Sequence, residues 1–318
     1  MSVETESIKP LVDAVAVTTT ASALVGWLPP IVAILTLVWT VIRIYETETV
    51  QKFVQRIKRE LFTHSVITDN SYCKWFADAE LTKSDVIYFT QQFSVFSNQF
   101  TIAQLNKVIN AGSLEEMHDA KEILMNELGV AFKKDSQKID SDTQFGGIEG
   151  SVEDSKFKFQ FAHFEWLLAF AEPLGLGFND IGRRSIGSPP TLFFCDELIR
   201  LYGTEDNVVG AGASFAVENW AAAGFWKQLI QGLENFNESN KNQLFLSPEL
   251  ERGLRIPPLK LGFFTWHDKI EEQHASHTWH ELEELYFGSG NFDEDTFIAS
   301  ASEMLDGVKV FWDGLYER

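Results

Sequence analysis

The protein has 318 residues, 45% of them hydrophobic and 13% aromatic, and its 26 basic and 46 acidic residues give a formal net charge of −20. Because 27 Phe and 9 Trp supply a large apolar core, this composition excludes an intrinsically disordered chain. An acidic excess of this size repels phosphate backbones, so we expect no nucleic acid partner. Two cysteines, Cys73 and Cys195, are too few for a disulfide framework and are typical of a reducing compartment.

The first predicted element is a transmembrane helix over about residues 21–42. No charged residue occurs from Ala14 to Ile42, where the sequence ends in ASALVGWLPPIVAILTLVWTVI. That run is long enough to cross about 30 Å of hydrocarbon. Pro29 and Pro30 would kink or interrupt such a helix, so a buried hairpin of the soluble part is the alternative. We therefore divide the chain into a tail with a membrane segment, residues 1–50, and a helical domain, residues 51–318.

Basic residues follow the apolar run closely, whereas the residues before it carry a net negative charge. The basic residues are Arg43, Lys52, Arg56, Lys58 and Arg59. The positive-inside rule then predicts a single-pass, membrane-anchored protein with its helical domain in the cytoplasm. The segment GWLPPIVAILTLVWTVIRIYETETVQ also resembles the membrane segment of small phage holins. One alternative function is therefore a holin-like lysis protein in which the helical domain regulates the membrane segment.

From residue 52 onward, apolar residues recur at three- and four-residue spacing, which predicts helices. The segment TKSDVIYFTQQFSVFSNQFTIAQLNKVI predicts a long helix with Thr82 or Ser84 as its N-cap. The segment SLEEMHDAKEILMNELG predicts the next helix, in which Ser113 and Glu116 form a capping box and Gly129 ends the helix.

Residues 133–151 are polar and contain glycines, so we expect a loop there. A helix is predicted from about Val152, through FKFQFAHFEWLLAFAEPLGL, to Gly175. Further helices are predicted over TLFFCDELIRLYG, SFAVENWAAAGFWKQLIQGLENF, GFFTWHDKIEEQHASHTWHELEELYF and DEDTFIASASEMLDGVKVFWDGLYER. No segment combines alternating hydrophobicity with a hairpin turn, so the sequence predicts an all-α bundle of about seven helices around one core.

Histidines cluster on one of these predicted helices. Four of the seven lie within fourteen residues: His267, His274, His277 and His280. His267, Glu271 and His274 stand at positions i, i+4 and i+7, which places them on one helix face. A carboxylate between two imidazoles suits iron or manganese. A solvated face rich in His and Glu is the alternative interpretation, and His277 and Glu281 continue the same stripe.

Other metal-competent residues occur on different predicted helices. His163 lies in the apolar segment FQFAHFEWLLAF, and Glu218 lies in the nearly uncharged segment AVENWAAAGFW. A buried carboxylate needs a partner or a metal ion. Glu122 and Glu127 lie on EILMNELG, where either side chain can point inward. Imidazoles and carboxylates on four helices are the pattern that a carboxylate-bridged diiron site requires.

The helical domain resembles the haem-oxygenase-like diiron oxidases, a superfamily that shares its helical fold with thiaminase-type and pyrroloquinoline-quinone-synthesis proteins. The resemblance is carried by NSYCKWFADAELTKSDVIYFTQQFSVFSNQF, the NELG turn, HFEWLLAFAEPLGL, ENWAAAGFWKQLIQGL and HDKIEEQH, which span most of residues 60–285. The family motif His-x-x-x-Asp/Glu-x-x-His is matched by His267, Glu271 and His274. The resemblance further implies Glu218 as the mid-chain carboxylate and His163 as the earlier imidazole.

The first carboxylate ligand departs from the family pattern. Some members place a Glu three or seven residues before the imidazole, but Gln160 and Lys156 occupy those positions here. Other members supply it from the preceding helix, so we expect Glu127, with Glu153 and Glu122 as alternatives.

The resemblance implies a nonhaem diiron oxidase or oxygenase with two irons per chain and dioxygen as co-substrate. The substrate would be a small organic or lipid-like molecule, an external electron donor would supply reducing equivalents, and the chain could form a homodimer. A thiaminase-like C–N hydrolase that uses Cys195 is another alternative. The apolar neighbourhood of Cys195 in TLFFCDELIR instead favours a buried structural thiol.

Overall fold

The computed structural model describes residues 48–132, 148–149, 157–159, 161–241, 244–246, 253–255, 257–288 and 292–317. The chain divides into two compact units between Ile57 and Lys58. Of the first unit the structure describes residues 48–57, where helix α1 (Glu48–Glu60) begins. The predicted transmembrane helix over residues 21–42 lies outside the described residues. No helix among the described residues combines the length and the apolar character needed to cross a membrane.

The second unit is built from helices, which confirms the predicted all-α fold. Its α-helices are α2 (Ser65–Thr68), α3 (Ser71–Asp78), α4 (Lys83–Asn110), α5 (Leu114–Glu127), α6 (His163–Ala171), α7 (Pro189–Glu197), α8 (Asn207–Ala221), α9 (Phe225–Asn240), α10 (Gly262–Gly288) and α11 (Glu294–Tyr316). Short 3₁₀ turns follow α6 at Glu172–Leu174 and precede α7 at Arg184–Ile186. A π-helical turn, Leu198–Tyr202, continues α7.

Local sequence explains where several helices begin and end. Thr82 caps α4, because its hydroxyl accepts a hydrogen bond from the Asp85 amide while the Asp85 carboxylate accepts one from the Thr82 amide. Ser113 caps α5 by accepting from the Glu116 amide, but the Glu116 carboxylate accepts from the amide of Gly112 rather than from that of Ser113. Gly129, with φ at 68°, follows the end of α5 as expected.

The core lies where α8 packs against α10 and α11. Gly212 allows α8 to approach α11 closely, since a Cβ there would lie 2.5 Å from the Phe297 carbonyl oxygen. Large aromatic side chains fill the space around α8 and α4. Those with less than 2% exposure include Phe89, Phe93, Phe215, Phe264, Phe297, Phe311 and Trp312. Many of the Phe side chains therefore pack in one helical core.

Two predicted helix boundaries are wrong. The helix predicted from Val152 begins at His163 instead, because residues 157–159 form a strand and the Glu165 carboxylate accepts a hydrogen bond from the Ala162 amide just before the helix. The helix predicted over SFAVENWAAAGFWKQLIQGLENF is two helices, α8 and α9. Gly224, with φ at 92°, breaks it in a left-handed conformation that suits glycine.

Two small antiparallel sheets were not predicted. Strand β1 (Val130–Phe132) pairs with β3 (Phe157–Phe159), which also pairs with β2 (Ile148–Glu149), and β4 (Leu244–Leu246) pairs with β5 (Gly253–Arg255). Each strand has at most three residues, which is too short to show a reliable period of two. The β1–β3 pair also joins segments on opposite sides of the expected loop, so only the folded chain brings them together.

Candidate metal centre

Three of the predicted ligands meet inside the helical unit. One donor atom each from Glu127, His163 and His267 lies within 4.8 Å of the other two. Oε2 of Glu127 and Nδ1 of His163 are 2.8 Å apart. All three side chains are buried, with exposures of 9% for Glu127, 6% for His163 and 7% for residue His267. Nitrogen and oxygen atoms that lie this close together, shielded from water, require a proton or a cation that they share.

Each of these three predicted ligands lies at the end or in the first turns of a helix. Glu127 is the last residue of α5, and His163 is the first residue of α6. The β1–β3 pair joins the segments that follow Glu127 and precede His163, which holds the two residues near one another despite 35 intervening positions in the sequence. His267 lies in the second turn of α10, and the rings of His163 and His267 are 4.7 Å apart at their centres.

The backbone assigns the tautomer of His267. Its Nδ1 lies 2.7 Å from the carbonyl oxygen of Phe263, and a carbonyl oxygen only accepts hydrogen bonds. Nδ1 therefore carries the proton and donates a hydrogen bond to the carbonyl oxygen of Phe263, which leaves Nε2 as the basic nitrogen of the ring. A histidine that ligates a metal typically donates its other ring N–H to a carbonyl or carboxylate in this way.

His163 gives a second test of whether these residues fit a metal ion. Its Nδ1 is 2.8 Å from the Glu127 carboxylate, but the angle between the two groups is unsuitable for a hydrogen bond. This buried nitrogen therefore has no hydrogen-bond partner among the described residues. An orphaned buried nitrogen costs free energy. A cation held by both the imidazole and the carboxylate would satisfy both groups at once, so the donor set fits a metal ion.

Glu218, on α8, lines the same cavity as Glu127 and His267 but is not one of the three residues whose donor atoms lie within 4.8 Å of one another. It is 3% exposed, and the phenol of Tyr202 donates a hydrogen bond of 3.1 Å to its Oε1. Burial, followed by the nearby Glu218 carboxylate, raises the pKa of Tyr202 well above its ordinary value, so the phenol stays protonated and remains a donor. Glu218 makes a further contact besides this one. Sequence reasoning missed Tyr202, because the π-helical turn that aims it at α8 leaves no pattern in the sequence.

A cavity of about 50 Å³ joins Glu218 to the Glu127 and His267 side of the centre. Its walls come from α4, α5, α8, α9 and α10, and they are mostly aromatic and aliphatic. The lining residues are Phe93, Phe96, Ser97, Phe100, Ile123, Glu127, Val217, Glu218, Trp220, Ala221, Trp226, Phe263 and His267. The space exceeds the roughly 15 Å³ that one water molecule needs, so a small group fits beside the carboxylates.

The remaining predicted ligands, Glu271 and His274, lie on α10 one and two turns beyond His267. The structure describes their helical backbone and not their side chains. The same holds for His277. Glu281, at the far end of the predicted stripe, instead accepts a hydrogen bond of 2.9 Å from Lys107, a buried ion pair that the sequence analysis did not find.

The alternatives for the first carboxylate separate in the structure. Glu122 is exposed on α5, whereas Glu127 faces His163. Glu153 lies outside the described residues, and α6 begins only at His163, after the strand at 157–159.

Cys195 lies on α7 with 0% exposure and is not among the residues that line the cavity. Burial raises its pKa to about 12, which matches the expectation of a buried structural thiol.

No protein-family model and no curated protein matches the chain. Solved structures do match it. A domain of unknown function with a haem oxygenase-like fold from Shewanella denitrificans OS217 is 15% identical with a TM-score of 0.53, over 84% of this chain and 92% of that one. A TenA homologue from Pseudomonas syringae pv. tomato DC3000 is 10% identical with a TM-score of 0.52, over 84% and 93%.

A CADD-like protein of unknown function from Nostoc punctiforme PCC 73102 is 18% identical with a TM-score of 0.53, over 84% of this chain and 96% of that one. The class of protein is thereby defined: the chain has the haem-oxygenase-like helical fold, as its resemblance to that superfamily implied. At these identities the likeness shows the fold alone, and function has to be argued from the site.

Proposed function

We propose that the protein is a nonhaem diiron oxidase that uses dioxygen to oxidise a small, largely apolar organic or lipid-like substrate. The observation that carries the proposal is the buried convergence of Glu127, His163 and His267 beside an apolar cavity that Glu218 also lines. Mixed imidazole and carboxylate donors in a closed, dry pocket are typical of iron sites that keep open positions for a co-substrate.

The six predicted ligands would hold two irons. Glu127, His163 and His267 would form one part of the centre, Glu218 lies on the cavity wall, and Glu271 and His274 follow on α10. The irons would supply the electron-transfer chemistry with dioxygen. The folded chain would hold the six ligands on four helices, α5, α6, α8 and α10.

The surrounding side chains orient these ligands and exclude water. Phe263 fixes the proton of His267 on Nδ1, and Tyr202 holds one oxygen of Glu218. The ring of Trp226 stacks on His267 at 4.7 Å, and Trp266 meets His163 at 4.9 Å. Low local polarity strengthens the attraction between ligands and a cation and protects a reactive centre from bulk water.

The cavity supports an apolar reacting group. Among the residues that line it, only Ser97, Trp220 and Trp226 carry a polar side-chain atom besides the proposed ligands, and none is Lys or Arg. A substrate carboxylate or phosphate would therefore have no cationic partner there, whereas a hydrocarbon or aromatic group would contact the Phe and Trp rings.

The proposal also includes the expectations from the sequence about membrane anchoring, the electron donor and self-association. The segment over residues 21–42 would anchor the protein in a membrane with its helical domain in the cytoplasm, an external donor would supply electrons, and two chains could associate. Alkaline extraction of membranes that contain the full-length protein tests the anchor. If residues 21–42 span the membrane, the protein should remain in the membrane pellet.

Anaerobic titration of the protein with ferrous iron tests the central claim. We expect about two irons per chain, and oxygen consumption when the loaded protein meets dioxygen. His267→Ala should lower the stoichiometry. His280→Ala is the matched control, because His280 lies on the same helix with its side chain 64% exposed. Equal iron binding by both variants, or none by the parent protein, would refute the proposal.

A further inference from the structure

A line of Trp and Tyr rings connects the candidate metal centre to the surface, and we call it the aromatic route. In order from the centre it consists of Trp226, Trp220, Trp312, Tyr72, Trp75 and Tyr316. It begins where Trp226 stacks on His267 with ring centres 4.7 Å apart and planes inclined by 24°. It ends at Tyr316 near the end of α11, where the side chain is 52% exposed.

Successive rings of the route are in contact or are bridged by one further ring. Phe225 lies between Trp226 and Trp220, at 4.5 and 4.7 Å. Trp220 and Trp312 are 6.2 Å apart, and Trp312 and Tyr72 are 5.5 Å apart.

The outer end of the route has the same spacing. Tyr72 and Trp75 are 5.5 Å apart, and Trp75 and Tyr316 are 6.0 Å apart. Electron tunnelling weakens steeply with distance, so a chain of such short steps conducts far better than one long step between the same ends.

The residue types along the route differ from those in the rest of the core. The core uses Phe for most of its rings, yet these positions carry indoles and phenols, which lose an electron more readily than benzene rings. Burying an indole N–H without a hydrogen bond costs free energy that Phe would avoid. Trp226, Trp220 and Trp312 each bury an Nε1 that has no hydrogen-bond partner among the described residues. A fourth such indole, Trp166, lies beside His163.

The missing partners also matter for the chemistry. An oxidised indole that has no acceptor for its N–H proton remains a radical cation, which takes an electron from the next ring without any proton moving. At the surface the situation reverses, because the exposed phenol of Tyr316 can release its proton to water when it is oxidised. The inner rings therefore pass an oxidising equivalent on, and the outer ring retains it.

We propose that the aromatic route carries oxidising equivalents from the buried centre to the surface when no substrate occupies the cavity. The inference rests on the proposed function, which supplies the oxidant. In each step one electron moves inward by one ring, and Tyr316 finally loses one electron to the route and one proton to water. A soluble one-electron reductant, such as a thiol or ascorbate, returns that electron and water returns the proton. The route would thus protect the centre and its ligands from oxidation.

The conductivity of the route can be tested without iron. Cys73 and Cys195 are both buried, so Glu317→Cys, next to Tyr316, creates the accessible thiol to which a ruthenium polypyridyl photo-oxidant is tethered. Illumination of the full-length metal-free protein with a sacrificial electron acceptor in air removes one electron at a time from the outer end. Peptide mapping by mass spectrometry then locates the oxygen adducts that trap each radical.

The test uses a Tyr316→Phe background, because the exposed phenol would otherwise retain the oxidising equivalent at the surface. In that background we expect adducts on Trp226 and Trp220 as well as on Trp75. In the same background Trp312→Phe should reduce the adducts on the two inner residues to background, whereas Trp279→Phe, which removes an indole outside the route, should leave the pattern unchanged. Tyr72→Phe is the second interruption, with circular dichroism confirming that each variant folds. Inner adducts that persist equally in both interrupted variants would overturn the inference.

A second arm separates this inference from the proposed function. The same full-length protein, without the photo-oxidant, is loaded with ferrous iron and exposed to dioxygen in the dark. Adducts on Trp75 or Tyr316 that disappear in Trp312→Phe would support both proposals. Light-driven conduction without any iron-dependent adduct would support the route and count against the oxidase.

Discussion

Replacing Lys107 by Met removes one partner of a buried ion pair beside the candidate metal centre. The ammonium of Lys107 donates to Glu281 Oε2 at 2.9 Å and to Ser214 Oγ at 2.7 Å, and it lies 5.3 Å from the centre of the Tyr202 ring. The side chains of Lys107 and Glu281 are 7% and 15% exposed. The other carboxylate oxygen of Glu281 has no hydrogen-bond partner among the described residues.

The expected loss is large because a charge would be left alone in the core. Removing one partner of a buried pair costs about 3–5 kcal/mol, since the remaining charge loses its compensation. The 15% exposure of Glu281 places the loss near the lower end of that range, at about 3 kcal/mol. A typical domain is stable by about 5–15 kcal/mol, so this single change would remove a large part of the free energy of unfolding.

The paired replacement should behave differently. In Lys107→Met with Glu281→Leu no charge remains buried, and such apolar substitutes for a buried pair are often neutral or stabilising. We expect the double variant to lie within about 1 kcal/mol of the parent, which corresponds to a coupling energy of about 2 kcal/mol or more in a double-mutant cycle.

Urea unfolding of the full-length protein at neutral pH, followed by far-ultraviolet circular dichroism, measures these differences. Lys309→Met is the matched control, because Lys309 and Asp313 form an ion pair on α11 with exposures of 42% and 48%. An exposed pair of this kind contributes roughly 0–1 kcal/mol. If Lys107→Met and Lys309→Met lower the free energy of unfolding by equally small amounts, the Lys107–Glu281 pair is solvated and the reasoning fails.

Three further outcomes are expected. Tyr202→Phe removes the hydrogen bond to Glu218, so the iron affinity measured by titration should fall by about 10- to 100-fold. The circular dichroism spectrum should stay unchanged, and an unchanged iron affinity would exclude a positioning role for Tyr202. Cys195, whose pKa burial raises to about 12, should resist alkylation in the native protein at neutral pH and react only in urea, as intact-mass spectrometry would show; native labelling would contradict its burial. Gly212→Ala should destabilise the protein by about 1–3 kcal/mol in urea unfolding. Gly262→Ala is the control and should not destabilise it, because an added Cβ there meets no atom within 4 Å. Equal urea midpoints for the two variants would mean that α8 and α11 can move apart without a cost in free energy.

The helical architecture could be predicted because its causes are local. The spacing of Phe89, Phe93 and Phe96 encodes a buried helix face, Thr82 encodes the start of α4, and Gly129 encodes the end of α5. The boundary at His163 could not be predicted, since it depends on a three-residue strand that exists only when paired with β1, far away in the sequence. Such pairing is a tertiary interaction and leaves no local period.

The sequence by itself determined the helical class, the apolar face of each long helix and the set of residue types able to bind metal, because side-chain chemistry and helical periodicity are written in consecutive residues. Only the tertiary structure decided that Glu127, rather than Glu122, faces His163, that Phe263 fixes the tautomer of His267, and that Lys107 neutralises Glu281. These choices depend on how helices approach one another, and that approach is set by the packing of the whole core and not by any one segment.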